Sequence, residues 1–518
     1  MSQSTFVKGT LWLTIAALIS KILGSIFRIP LQNIAGDEVL GIFSLVYPVY
    51  MVALILSVAG IPIAISKLIS EARAKHETAS IHEIYITASI LAFLFGIISF
   101  SLIFSFSTFI AAALGGQTTR LALIVVASTL LVAPYMAVYR GFFQGFEDMK
   151  PTAISQVIEQ FTRVGLILLI SYYFVSQDFS NDIVAGGVMT ASVVGAIASL
   201  LYLRITYQRS HLRLPSAKSY SFRLFSKWSK YILSISIPIA IGTITMALMN
   251  VVDSFTIPHS LKNAGLDGNS VNYLYGIYGR GLTLVQIATV FATSIVLPLI
   301  PIITKSLAEN NVAYTRKMIK KTHKITQIIS WPAAIGLLSL TLPINLGLFT
   351  NLEGSTVLAI IGFSSVFTSL TVLGTGILQG MNLVKTAAFI ILGGIVIKTF
   401  ANISFIHLWG LNGAALATLM VYVLLIFINT VFIWKLIRFP FMIGQTAKII
   451  FSSLIMGVII GLPTIIINFE SWTRLQALIY VLIAIVIGAA IYFLQLLLWK
   501  VVSKQEIAEL PIIGKSIR

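Results

Sequence analysis

Residues 141–153 read GFFQGFEDMKPTA, and residues 376–388 read GILQGMNLVKTAA. Gly141, Gln144, Gly145, Lys150 and Ala153 fall on Gly376, Gln379, Gly380, Lys385 and Ala388 at one constant offset of 235. Continued without a gap, the same offset places Arg163 on Lys398. Earlier in each half, FRIP at Phe27 resembles FTIP at Phe255, and GIF at Gly41 resembles GIY at Gly276. Each match is short, but all occur in the same order, which marks an internal repeat.

Between the matches lie apolar stretches of bilayer-crossing length, roughly 20 residues for a hydrocarbon core about 30 Å thick. Fourteen begin near Thr10, Leu40, Ile84, Thr119, Ala153, Ile183, Tyr231, Asn272, Ile325, Ser355, Thr386, Leu411, Thr446 and Leu475. The repeat unit is then six spans. Six is even, so the two copies run parallel, related by an axis along the membrane normal, with a binding site expected between them near the midplane. The expected fold is an all-α polytopic membrane protein with 14 transmembrane helices. Two parallel six-helix lobes surround a central cationic cavity, and two extra helices follow. The boundaries expected are an N-lobe at 1–207, a basic cytoplasmic linker at 208–230, a C-lobe at 231–434, and the last two spans with a tail at 435–518. A duplicated bundle serving only as a scaffold fits the same repeat.

Composition agrees. The 518 residues are 57% hydrophobic and 10% charged, where soluble proteins carry about 25% charged residues. That excludes a soluble enzyme, a disordered chain and a nucleic-acid binder. The net charge of +18 is explained by the cation bias of cytoplasmic loops. Lys67, Arg73, Lys75, Arg140, Lys150, Arg204, Arg213, Lys218, Arg316, Lys321, Lys385 and Lys435 sit at one set of span ends, and Asp37, Glu38, Asp178, Asp182, Asp267 and Glu353 at the other. An even count with this alternation puts both termini in the cytoplasm of a bacterium, and no cleavable signal is read after Lys8. Along Phe222–Tyr231, Arg223, Lys227 and Lys230 recur at helical spacing against Phe222, Phe225 and Trp228. That suits a helix lying on an anionic leaflet and equally a loop that only sets topology.

Ionisable groups deep in spans are functional candidates, because each costs roughly 2.5–3.5 kcal/mol to insert. The cations are Lys21, Arg28, Arg163, Arg280 and Lys398; the acids are Glu159 and Asp253. Lys21, Arg163 and Lys398 each lie thirteen residues beyond a membrane-edge lysine (Lys8, Lys150, Lys385), hence ~20 Å deep at 1.5 Å per residue. Arg280 reaches a similar level from the other side. Four cations at one level, facing a shared watery cavity, suit a polyanion such as a diphosphate, which Arg grips with its fork and Lys as a point charge. Arg28 sits nearer a span end and can snorkel. Glu159 and Arg163 are spaced i,i+4 and can pair. Asp253 reads either as a local cap or pair or as part of Na+ or H+ coupling. Tyr47, Tyr50, Tyr135 and Tyr139 can stack on sugars or simply pack. Pro48, Pro62, Pro134, Pro238, Pro298, Pro301 and Pro332, with Gly60 and Gly279, are candidate bends.

No catalytic machinery is legible. There is no cysteine, the six histidines show no metal spacing, and Gly514-Lys515-Ser516 lacks the upstream glycine of a P-loop, Glu509 standing there. No metal or cofactor is expected.

RGFFQGFEDMKPTAISQVIEQFTRV from Arg140 and GIYGRGLTLVQIATVFATSIVLPLIP from Gly276 resemble the polysaccharide-transporter branch of the multidrug/oligosaccharidyl-lipid/polysaccharide (MOP) exporter superfamily. Within it the chain is similar to the stage V sporulation protein B group and to the lipid II flippases of MurJ type. The resemblance implies two six-helix lobes opened alternately to each side, moving undecaprenyl-pyrophosphate-linked sugars or lipid II from inner to outer leaflet. It implies a tail-receiving groove at the last two helices. It implies functional arginines in the first, second and eighth helices, for which Arg28 and Arg280 are counterparts; the second span carries no Arg, and Lys21 stands where Arg is usual.

The expected function is therefore a flippase, acting as a monomer on a prenyl-pyrophosphate-linked glycan among membrane lipids. Lys21, Arg28, Arg163, Arg280 and Lys398 are its candidate binding residues, and Glu159 and Asp253 its charge-pair or coupling residues. A cation-coupled multidrug exporter, a non-transporting envelope or spore-coat scaffold, and a membrane glycosyltransferase are the rivals.

Overall fold

The computed structural model describes residues 3–58, 60–212, 220–439 and 443–502. Arg213, Lys218 and the Gly514-Lys515-Ser516 tail lie outside the described residues, as does the side chain of Lys8. Among the described residues every regular element is a helix. This follows from the bilayer: backbone polar groups in hydrocarbon must be satisfied within the segment.

By contacts the chain forms two compact units, residues 1–279 with 391–410, and residues 280–390 with 411–518. These are packing units, whereas the repeat is a relation between sequences, and the two divide the chain at different places. In order come α1 (Gln3–Ile26), α2 (Arg28–Val58), α3 (Ile61–Ala74), α4 (Thr78–Ser105), α5 (Ser107–Ala113), α6 (Arg120–Ala127), α7 (Ala133–Gly145), α8 (Lys150–Ser176), α9 (Asn181–Arg209) and α10 (Phe222–Asn263). After them come α11 (Gly268–Ala308), α12 (Val312–Ser339), α13 (Thr341–Phe349), α14 (Ser355–Gly380), α15 (Val384–Ile437), α16 (Ile443–Ile466) and α17 (Arg474–Leu498). Unit 1 carries one core around Leu31, Val46, Leu123 and Val188 and another around Ile69, Ile84, Phe142 and Leu203. In unit 2, Leu299, Ile303, Leu373 and Ile433 form a core. Phe161, Phe389, Phe400 and Ile465 stand exposed, as side chains that face lipid do.

Among the described residues ten helical stretches are long and apolar enough to cross, or twelve if two bent pairs each count as one span. The pairs break by 47° within α10 and by 79° between α12 and α13. Residues 15–74 and 384–437 each count once in that tally, at 60 and 54 residues. At 1.5 Å per residue each exceeds twice the core thickness. Both are broken, the first at Gly36 (φ 80°) and Gly60 (φ 82°), the second at Trp409 and Gly410 (φ 56°). Glycine alone takes this left-handed backbone without penalty. Against the expected fourteen spans, the described residues thus give ten to twelve, two of them with room to cross twice.

Two expected bends are helix starts instead. Pro62 and Pro134 sit in the first turn of α3 and α7, where the missing N–H has no helical partner to lose. Pro48, Pro238, Pro298, Pro301 and Pro332 lie inside helices. The basic stretch from Phe222 forms the first turns of α10. There Trp228 is buried and donates to Glu83 at 2.7 Å, while Phe222 and Lys227 stay exposed.

The repeat is visible in the packing. Ser70 donates its hydroxyl to the Gly145 carbonyl at 3.1 Å, and Thr304 does the same to the Gly380 carbonyl at 2.8 Å. Gly145 lies against Ile69 and Gly380 against Ile303. Within unit 1, α2 crosses the start of α11 on a pseudo-twofold relation. A Cβ on Gly41 would overlap the Asn272 carbonyl, and a Cβ on Gly276 would overlap the Asp37 carbonyl. Asp37 and Asn272, like Gly41 and Gly276, are mates at the offset of 235, so the contact is reciprocal, as at a symmetric dimer interface. Ser44 and Gly279, also mates, meet each other. A Cβ on Gly279 would lie 3.3 Å from that of Ser44, close to the 3.5–4.5 Å of a disulfide. Because the chain has no cysteine, the double variant Ser44→Cys, Gly279→Cys carries the only two thiols. It is expected to oxidise to an intramolecular disulfide, read as maleimide labelling that returns only after reduction; persistent labelling under oxidant would disprove the crossing.

Candidate functional site

The candidate site lies in unit 1, where α1, α2 and α8 meet. Arg28 opens α2 and is buried, 5% exposed. Its guanidinium stands over the rings of Phe43 (5.5 Å) and Tyr47 (5.8 Å). These rings are one turn apart on α2 and stack on each other at 5.3 Å. Arg163 of α8, 8% exposed, donates from Nη2 to Gln160 Oε1 at 2.7 Å and from Nη1 to the Tyr47 hydroxyl at 3.5 Å. Gly24 of α1 faces that guanidinium, and a Cβ there would lie in ordinary contact with Arg163 Nη2 at 3.5 Å. Lys21 is one turn earlier on the same helix face as Gly24, and its side chain is exposed.

The Nε groups of Arg28 and Arg163 are buried without a hydrogen-bond partner. Among the described residues no carboxylate lies within ion-pairing distance of either guanidinium. Arg28 is bedded on aromatic faces, which attract cations, and Arg163 is held by polar oxygens, so the cluster presents two buried positive charges that an anion would neutralise.

The other candidates are placed differently. Glu159 does not take Arg163 as its ion-pair partner; it pairs with Arg140 of α7 at 2.8 Å. Arg140 also donates to Ser155 at 3.0 Å and Ser199 at 3.2 Å. A guanidinium needs several acceptors, and the α7–α8–α9 junction supplies them to Arg140. Gln160 and Tyr47 supply them to Arg163. In the sequence Arg140 reads only as a span-end charge, although it heads the RGFFQG stretch.

Lys398, the repeat mate of Arg163, is paired with an acid. Its ammonium lies 2.7 Å from Asp253 Oδ2, and both side chains are 1% exposed. Tyr278 donates to the same oxygen at 3.0 Å and Asn402 to Oδ1 at 2.9 Å. A charge buried in a membrane span needs a partner, and Asp253 is that partner. The repeat itself carried the signal: the offset of 228 between Phe27 and Phe255 places Asp253 on Ser25. The second half thus has an acid where the first has a hydroxyl, and Arg163 keeps its charge uncompensated by a carboxylate.

In unit 2, Arg280 is fully buried. It donates to Asn345 (3.0 Å) and Asn351 (2.8 Å) above the Phe349 ring at 5.4 Å, which ties α11 to the turn between α13 and α14. The four tyrosines separate as well. Tyr47 and Tyr50 belong to the arginine cluster, at 5.8 Å from each other, while Tyr135 and Tyr139 pack with Tyr85 and Tyr207 in the second core. Unit 2 also holds an apolar cavity of about 670 Å³ among α11, α12, α16 and α17, lined by Phe291, Pro332, Met456, Gly488 and Tyr492.

Comparison with known proteins agrees with this architecture. Lipid II flippase MurJ of Bacillus subtilis (strain 168) is 27% identical over 514 residues, covering 95% of this chain and 94% of that protein. The solved structure of lipid II flippase MurJ in an inward closed conformation superposes with a TM-score of 0.68 at 18% identity, covering 95% of this chain and 99% of that one. A multidrug resistance MATE family transporter of the MOP superfamily, inward-facing, gives 0.64 at 16% identity over 83% of this chain and 98% of its own. The fold is therefore that of the MOP transporters, in a multi-pass membrane protein. The model of one family, described as polysaccharide biosynthesis protein, matches residues 6–307, more than half of the sequence, and the chain belongs to that family.

Proposed function

We propose that this chain is a flippase that moves a prenyl-pyrophosphate-linked envelope glycan, lipid II or a polysaccharide repeat unit, from the inner to the outer leaflet by alternating access. The observation that carries this is the pair of buried guanidiniums without a carboxylate partner, Arg28 bedded on Phe43 and Tyr47, and Arg163 bonded to the Tyr47 hydroxyl. Guanidinium forks match diphosphate oxygens bidentately, and Lys21 adds a point charge on the neighbouring face of α1. In this reading Arg280 and Lys398 hold helices together, and the termini face the cytoplasm. A cationic site moving through the membrane field feels about 2.3 kcal/mol per charge per 100 mV, so membrane potential biases its return.

An organic-cation exporter calls for unpaired membrane carboxylates. Glu159 and Asp253 are each held in an ion pair, which disfavours that rival. The test is reconstitution of the purified chain in vesicles with a defined prenyl-diphosphate glycan, following headgroup accessibility to an impermeant reagent. Protein-dependent exposure of the inner-leaflet headgroup is the expected result. Exposure no faster than in empty vesicles, for lipid II and for polysaccharide precursors alike, would refute the reading.

A further inference from the structure

Ser155, Glu159 and Arg163 follow one another at four-residue steps on α8, so they share one face of that helix. Helix α9 closes over this face. A Cβ on its Gly195 would lie 2.8 Å from the Glu159 carbonyl oxygen and 3.3 Å from the Arg163 Cβ, and Ser199 stands one turn further on. At the Ser155 end Arg140 reaches in from α7. Its Nη2 lies 2.8 Å from Glu159 Oε2 and 3.2 Å from Ser199 Oγ, and its Nε lies 3.0 Å from Ser155 Oγ. At the other end Arg163 keeps a buried Nε–H without an acceptor. One carboxylate thus stands between two guanidiniums, bonded to one and a helical turn from the other. A glutamate four residues before a cation is the favourable order for a pair on one helix, so Arg163 is a partner within Glu159's reach that Arg140 forestalls. At the offset of 235, Arg140 falls on Thr375 and Glu159 on Gly394, so the second half lacks both members, and there the mate of Arg163, Lys398, is neutralised by Asp253. The half that has the Arg140–Glu159 pair is the half whose deep cation has no carboxylate of its own.

We propose that Arg140 is a positioning residue for the anion site: by holding Glu159 it keeps that carboxylate off Arg163, and without it Glu159 turns to Arg163 and takes the place of the diphosphate. A partly buried carboxylate stripped of its partner is costly, and Arg163 is a cation that a change of rotamer brings within its reach. A carboxylate on Arg163 cancels the charge that phosphate oxygens need. For its consequence in transport the proposal rests on the flippase reading. The competition of two arginines for Glu159 is a property of the folded chain, however, and is measured without substrate.

Two readouts on the purified full chain test it. The first is thermal unfolding of a double-mutant cycle, Glu159→Gln and Arg163→Gln singly and together, run in wild type and in Arg140→Met. In wild type the two losses are expected to add closely. In Arg140→Met the double loss is expected to fall several degrees short of the sum, because each substitution breaks the same new pair. Losses that add equally well in both backgrounds overturn the proposal, whether or not the chain flips lipid. The second readout is flipping of a prenyl-diphosphate glycan in vesicles. Arg140→Met is expected to slow it by about 10-fold or more, as losing one hydrogen bond to a charged group does, and Arg140→Met, Glu159→Gln is expected to recover most of the rate. An Arg140 that only fastens α7 to α8 and α9 predicts no recovery, since its bonds to Ser155 and Ser199 stay lost, so a double variant as slow as the single one sinks the idea. Gln160→Glu needs no change at Arg140: Gln160 Oε1 already lies 2.7 Å from Arg163 Nη2, and the substitution sets a carboxylate there directly. It is expected to slow flipping as Arg140→Met does, and a wild-type rate would equally refute the proposal. A wild type that flips nothing while the unfolding cycle shows the coupling removes the flippase reading and leaves the positioning of Glu159 standing.

Discussion

Arg28→Gln and Arg163→Gln are each expected to slow flipping of a prenyl-diphosphate glycan by about 10- to 100-fold, and the double variant by more than either. A hydrogen bond to a charged group contributes roughly 1.5–3 kcal/mol, and each guanidinium offers the diphosphate at least one such bond. Both side chains already sit in the position they use, buried against Phe43, Tyr47 and Gln160, so little ordering is needed on binding. Arg163→Lys keeps the charge but loses the planar fork, and an intermediate rate is expected. Lys398→Met separates binding from packing: it should lower thermal stability, because it strands Asp253, with a smaller effect on the rate per folded molecule. Headgroup accessibility in vesicles gives the rates, and thermal unfolding of the same preparations gives the stabilities. A double arginine variant that flips at the wild-type rate would remove the anion site from the mechanism.

The second large effect belongs to the glycine crossing. Gly41→Ala and Gly276→Ala each place a methyl group onto a backbone carbonyl, that of Asn272 and of Asp37 respectively. Backbone cannot rotate out of the way as a side chain can, so the helices must part. Overpacking in a tight core costs about 1–3 kcal/mol or more; here both variants are expected at or above the upper end. By the pseudo-twofold relation their losses should match. Gly165→Ala and Gly393→Ala, where nothing lies within 4 Å of the new atom, are expected to be neutral or slightly stabilising, as helix propensity favours Ala over Gly. Thermal unfolding of the four variants in one detergent decides it. If the two crossing variants unfold like the controls, the close approach of α2 and α11 is wrong.

The fold was legible to the extent that its determinants are local. Apolar runs identify helices in a membrane whatever surrounds them, and the offset between Gly141 and Gly376 exposes the duplication directly. The span count was less secure: stretches such as 15–74 and 384–437 break where single glycines turn the chain, and hydropathy does not register a dihedral angle. For the site, depth along a helix singled out Lys21 and Arg163, because an insertion cost depends only on position, whereas Arg28, nearer a span end, was marked by the family resemblance. It singled out Lys398 and Arg280 for the same reason, yet these are held by Asp253 and by two asparagines.

Spacing on one helix suggested Glu159 with Arg163, whereas Arg140 from another helix takes Glu159. From its sequence alone this protein is a duplicated, multi-spanning helical chain with cations set deep in its spans. Which of those cations stay available to an anion, and which are neutralised, was decided only when helices far apart in sequence met. Hydrogen bonds and close ion pairs act over about 3–4 Å, a range within which spacing along the chain does not say who the neighbours are.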